Sequence, residues 1–248
     1  MKALKTFLAV VVVLLLSATA LAQTADEVIN RAVAALGGRE AFASVSTMIY
    51  EATGTMSMGP RPMDLEMTSY IMRPNMFRVE MNMMGMDMVM GSDGTDQWMS
   101  SPAGVMDLPQ QQRNQGPFNF MSPNNEPFVD LETLRERGVV FEYIGLETTD
   151  QGPAHHLEAT FPTELTGMEE ELVVDWFFGA DSGLPIQFQV AMPHGTMVMQ
   201  MLDYRPVAGL QMPYRMEAEL NSEPMMMLEV QDIRINEPLD PSIFSRPN

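Results

Sequence analysis

The chain contains no cysteine, which excludes disulfides, thiolate metal sites, cysteine nucleophiles and an N-terminal lipid-modified cysteine. The fold must therefore rest on its apolar core, and 248 residues are enough for one β-rich domain that needs no covalent staples. Lysine is confined to Lys2 and Lys5, so the chain beyond residue 22 carries 12 arginines against 33 acidic side chains, a net of −21. That balance argues against nucleic acid and anionic membrane surfaces as partners, because both need basic groups to neutralise phosphate. It also suggests a surface suited to concentrated salt, where repulsion is screened; the expectation is a higher unfolding temperature in molar salt than in dilute buffer. The Gly-x-Ser-x-Gly elbow and the phosphate-cradling glycine loop are missing as well. His155 and His156 are adjacent on an expected strand, so they point to opposite faces and cannot readily share a metal. Ser182 reads as part of an Asp181-Ser182-Gly183 turn, and Glu169-Glu170-Glu171 as a solvated acidic loop. The expectation is a protein that is not an enzyme and holds no cofactor.

What is present begins with an address. Lys2 and Lys5 precede the apolar run Phe7–Leu16, and Ala20-Leu21-Ala22 supplies small residues for cleavage, the pattern of a secretory signal peptide over residues 1–22 cleaved after Ala22. No later run is long and apolar enough for a spanning helix. Residues 23–248 then form a single exported, periplasmic domain.

Thr24 and Glu27 make a capping-box pattern ahead of Val28, Ile29, Ala32, Val33 and Leu36 at helical spacing, with Gly37-Gly38 to end the helix. From Val45 onward, short alternating apolar runs are separated by Gly, Pro, Asn and Asp. They predict strands at 45–57, 63–73, 76–84, 86–91, 96–101, 139–147, 154–161, 171–178, 184–192, 196–204, 211–220 and 225–235. Consecutive strands with tight turns favour an antiparallel sheet curling toward a barrel. Strand texture stops over about 107–138, where Phe118, Phe120, Leu131 and Leu134 sit in a long insert, the usual form of a lid or binding loop.

The stretch from Asn75 to Gly91 alternates methionine and then slips phase at Met83-Met84. A two-residue turn at Met84-Gly85 removes the conflict, pairing 83 with 86, 81 with 88 and 79 with 90. Val79, Met81, Met83, Met86, Met88 and Met90 then share one face, opposite Arg78, Glu80, Asn82 and Asp87. A second turn at Asp93-Gly94 is expected to set Met99 opposite Met88 and Trp98 opposite Val89, carrying the wall onto a third strand. Methionine is unbranched and polarizable, so such a wall can repack around ligands of varied shape. Core packing is the plainer reading of the same face. A further alternative is a Cu(I) site in which Met81, Met83, Met86 and Met88 act as soft thioether ligands.

Arg73-Pro74-Asn75-Met76-Phe77, Ser92-Asp93-Gly94, Trp98 and Pro102 resemble the signature of the periplasmic carrier that ferries lipoproteins to the outer membrane. Val174–Gln187, Asp203-Tyr204-Arg205 through Pro213, and the ending Ile235–Pro247 resemble the broader lipoprotein-sorting, LolA/LolB-like superfamily. The resemblance implies a mainly β (α+β) fold, an incomplete antiparallel barrel of about 11 strands with an N-terminal helix and a helical or loop lid over an apolar cavity. It implies a carrier of lipoprotein or lipid acyl chains, served by an inner-membrane release complex and an outer-membrane acceptor. Arg73 occupies the motif position whose arginine latches the lid over the empty cavity. A lipid-sensing or scaffold module of the same fold remains the other alternative.

Overall fold

A computed structural model describes residues 23–57, 62–108, 131–166, 168–192 and 194–247. Residues 1–22, and with them the expected signal peptide, lie outside the described residues. The domain opens with helix α1 (Ala25–Ala35), which begins as the sequence predicts. The Thr24 N–H donates to Glu27 Oε2 (3.0 Å) and the Glu27 N–H to Thr24 Oγ1 (3.3 Å), closing the capping box. Val28, Ile29, Ala32 and Val33 form its buried stripe. A short α2 (Arg39–Ala43) follows, and later α3 (Leu131–Glu136) and α4 (Thr163–Thr166).

The strands are β1 (Thr47–Ser57), β2 (Pro62–Met72), β3 (Met76–Met83), β4 (Met86–Asp93), β5 (Gln97–Ser101), β6 (Gly104–Asp107), β7 (Val140–Thr149), β8 (Gly152–Phe161), β9 (Leu172–Gly179), β10 (Pro185–Met192), β11 (Gly195–Val207), β12 (Leu210–Leu220) and β13 (Glu223–Ile235). They form one sheet in the order β6-β5-β4-β3-β2-β1-β13-β12-β11-β10-β9-β8-β7. Every ladder is antiparallel. The architecture is the expected unclosed antiparallel sheet, with 13 strands in place of about 11. The strand that none of the twelve predicted ranges covers is β6, four residues long, between β5 and the insert. Pro102-Ala103 turns the chain back and Gly104–Asp107 pairs with β5.

Alternation assigns the two faces of the sheet. Leu65 and Met83 at one end, Leu157, Val174, Trp176, Phe178 and Phe188 toward the other, and Met197, Met199, Met226 and Leu228 between them share one core cluster with the buried stripe of α1. Strands β3 and β8 stand eight positions apart in the sheet order, nearly 40 Å if flat at about 4.8 Å per strand. The cluster continues from strand to strand across that span and includes the buried stripe of α1, so the side of the sheet that carries it is called the inner face.

The outer face of β3–β5 is covered by the C-terminal 3-10 turn Pro241–Phe244. Phe244 is fully buried, and the Trp98 Nε1–H donates to its carbonyl (3.1 Å). Arg78 donates to the Ile243 carbonyl (3.0 Å) and lies over the Trp98 ring. Gly91 permits this packing: a Cβ there would stand 2.4 Å from the Trp98 ring.

Candidate ligand-binding face

The methionine hairpin has the register its alternation requires. Met83 pairs with Met86, Met81 with Met88 and Val79 with Met90. The turn works because both of its residues adopt the left-handed region, Met84 at φ 52° and Gly85 at φ 81°, the geometry that matches strand twist in a two-residue hairpin. Asn82 supports it by accepting the Gly85 N–H (3.1 Å).

The next junction departs from expectation. Met99 pairs with Met90 and Trp98 with Gly91, in place of Met88 and Val89. The last pair is Ser92 with Gln97, so the loop spans four residues. Its cause is the Asp93 carboxylate, which accepts both the Thr95 and Asp96 N–H groups (2.9 Å each) and holds the turn open. The register moves by two, an even number, so Met99 stays on the inner face. Val79, Met81, Met83, Met86, Met88, Met90 and Met99 thus share one surface across β3, β4 and β5.

That surface extends further than the sequence indicated. Met81 pairs with Met67 and Met83 with Leu65 on β2, Met67 pairs with Ala52 on β1, and Met106 on β6 pairs with Met99. Met56, Met67, Met81 and Met88 pack against the core cluster while remaining half-buried. The alternation Leu65-Glu66-Met67-Thr68 carried this signal. Tyr50 lies on the same face, on the rung of Val79 and Met90. Its hydroxyl is buried without a hydrogen-bond partner among the described residues. Burial first, and then the neighbouring Tyr214, raise its pKa, so it stays a neutral donor.

Arg73 stands at the other end of the hairpin, in the β2–β3 turn, with its N–H donating to the Ser46 carbonyl (2.9 Å). The described chain leaves β6 at Leu108, whose N–H donates to the Gln97 carbonyl (2.8 Å). Ladder by ladder, this is level with Phe77 and the Arg73 turn. Phe118 and Phe120 lie outside the described residues. Leu131 and Leu134 fall in α3, where Leu134 is half-buried and Arg135 forms an ion pair with Asp26 of α1.

A groove of about 550 Å³ also runs along these strands. Most of its lining, including Glu51, Glu66, Glu80, Asp87 and Thr53, alternates with the apolar residues and so belongs to the outer face. An acidic groove does not suit an acyl chain, and the inner face is the better match for an apolar ligand.

The two histidines occupy opposite faces, as their adjacency requires. His155 turns inward to the Tyr143 hydroxyl (3.2 Å); burial, reinforced by the charge of Arg31, lowers its pKa. His156 turns outward between Glu147 and Asp175 (2.8 Å each) and stacks on Phe177. Burial opposes its charge, but the hydrogen bonds to both carboxylates outweigh burial and raise its pKa. Among the described residues no group of three or more His, Cys, Asp or Glu side chains is placed to hold a metal ion.

No family model matches the chain, and no curated protein matches it. Solved structures do. A DUF1329 family protein from Desulfovibrio piger superposes with a TM-score of 0.63 at 13% identity, over 89% of this chain and 96% of its own. A LolA superfamily protein from Nitrosomonas europaea gives 0.58 at 16% identity, over 91% and 99%. A Vibrio parahaemolyticus domain described as an outer membrane lipoprotein-sorting protein gives 0.57 at 14%, over 88% and 94%. The chain has a LolA-like fold.

Proposed function

We propose that the protein is an exported carrier that holds the acyl chains of a lipoprotein or lipid against the apolar inner face of its sheet. One observation carries the reading: Val79, Met81, Met83, Met86, Met88, Met90 and Met99 line a continuous apolar surface on β3–β5 that is left largely half-buried. A core would seal such a surface; a binding face keeps it available. Thioether side chains let it adapt to chains of different length and unsaturation. Each methylene buried contributes roughly 0.8 kcal/mol, so two or three acyl chains bind well without charged contacts. The unpartnered Tyr50 hydroxyl is a donor for an ester or amide carbonyl at the head of such a ligand.

Supporting this are the LolA-like fold, with a LolA superfamily protein and a lipoprotein-sorting domain among its neighbours, and a signal-peptide pattern in keeping with a periplasmic carrier. An inner-membrane release complex would load it and an outer-membrane acceptor would unload it. Arg73, at the end of the wall where β6 gives way to the insert, is the residue we assign to favouring the empty state, since release needs a competing ligand-free conformation. The reading assigns the protein no catalytic activity. Native mass spectrometry of protein recovered from the periplasm tests it: co-purifying acyl lipid or lipoprotein is the expected result. Recovery of apo protein that also fails to bind a fluorescent fatty acid would overturn it.

A second reading has its own support. Met81 with Met88 and Met83 with Met86 are direct cross-strand pairs, which sets four soft ligands side by side for Cu(I). Competition against a Cu(I) chelator separates the two: metal transfer to the protein favours copper, and none leaves the acyl-binding face.

A further inference from the structure

The described methionines range from sealed to open, with most half-buried between the extremes and Met168 at 40% exposure. Met83, Met197, Met199 and Met226 are sealed in the core at 7%, 3%, 3% and 5% exposure, whereas Met84, Met86 and Met106 stand open at 72%, 51% and 50%. Met86 and Met106 are open and still belong to the inner face. Met86 shares a rung with Leu65 and Met83, and Met106 shares one with Met90 and Met99. Met84 sits in the turn, off that face.

We propose that Met86 and Met106 are an oxidation site through which hydroperoxides weaken acyl binding, with methionine sulfoxide reduction restoring it. The proposal rests on the carrier reading given above. In the step itself, the thioether sulfur attacks one oxygen of the hydroperoxide. The O–O bond breaks and an S–O bond forms. The proton of the attacked oxygen passes to the departing oxygen, which leaves as water or an alcohol. Sulfur is oxidised by two electrons and the hydroperoxide is reduced by two. The product is a strongly polar acceptor set directly into an apolar wall, where an acyl chain offers it no hydrogen bond.

Two features favour these positions. The chain has no cysteine, so the thioethers are its side chains with a reversible oxygen-transfer chemistry. Leucine would bury similar area at half-exposed wall positions but could not respond. Reversal needs a thiol-dependent sulfoxide reductase to reach the sulfur, and half-exposed side chains at the β3–β4 hairpin end and on the short edge strand β6 are reachable without unfolding the sheet.

The experiment uses the full chain, graded hydrogen peroxide, peptide mass mapping and a fluorescent C18 fatty acid as probe. Met84, Met86 and Met106 are expected to oxidise well before Met83, Met197, Met199 and Met226. Affinity for the probe should fall about tenfold as Met86 and Met106 convert, and treatment with sulfoxide reductase and dithiothreitol should restore it. The ratio of affinities before and after peroxide should approach one in the double variant Met86→Leu/Met106→Leu, and stay near ten in Met84→Leu. Equal oxidation rates for buried and exposed sets, or an unchanged affinity once Met86 and Met106 are sulfoxides, would overturn the inference alone. Failure of the reduced protein to bind the probe would sink the carrier reading and this inference with it.

Discussion

The two ends of the inner face follow the same alternation and reach opposite outcomes. On β8–β10 the inward positions include Leu157, Val174, Trp176, Phe178, Phe188 and Val190, each at most 5% exposed. Trp176 stacks near Phe178 and tilts against Phe188 at 4.9 Å. On β3–β6 the inward positions are mostly methionines, and all of these but Met83 remain at least half open. Period-2 patterning makes both faces apolar; the side chains that fill them differ, and so does their burial. Rigid aromatic and branched side chains lock the first, while flexible thioethers keep the second adaptable.

The sharpest way to break that contrast is to truncate each side. Phe178→Ala removes a fully buried ring and is expected to cost about 3–5 kcal/mol of unfolding free energy in urea titration, whereas Met88→Ala, half-buried, should cost about 1 kcal/mol. Equal costs would mean the methionine side is ordinary core. Next in size, Met88→Asp should weaken a fluorescent fatty acid about tenfold or more while the far-ultraviolet dichroism is kept. Unchanged binding would move the ligand elsewhere. Arg73→Leu should slow delivery of bound lipid to acceptor vesicles several-fold without weakening its uptake; transfer at the native rate would remove Arg73 from the release step.

The smallest effect concerns the outer face of the sealed end. His156 has a raised pKa in the folded protein, so its contribution to stability is fully present below the unfolded value of about 6.5 and is lost as pH rises through the folded value. The stability gap between the native protein and His156→Gln should therefore be widest in mildly acidic buffer and close on the alkaline side. A gap that widens with pH would contradict the pairing with Glu147 and Asp175.

Much of the wall was legible because its information is local. A phase slip at Met83-Met84 beside Gly85 leaves one sensible turn, and the register follows. The Asp93 junction differs from the two-residue turn that Asp93-Gly94 predicts because a side chain, not a backbone preference, sets that loop length. β6 escaped notice because four residues carry little periodicity. The outer cover of β3–β5 was illegible for a different reason: Trp98 finds Phe244 from 146 positions away, and nothing near either residue signals the other. That Met83 shares one core cluster with Trp176 and Phe178 is likewise set by the order of strands in the sheet, which nothing near Met83 signals.

Among the 13 strands of the described residues, every ladder joins consecutive strands except one, between β1 and β13. The protein is thus two local meanders, β1–β6 and β7–β13, sewn along a single seam that pairs Met48 with Ile235 and Met56 with Met226. Each meander needs only short loops to form, while the seam must close nearly the whole length of the domain and bears that entropy alone. Folding should therefore finish at the centre of the sheet rather than at its margins. Until the seam closes, both β1 and β13 are open edges, and the newly made chain is most prone to pair with its neighbours.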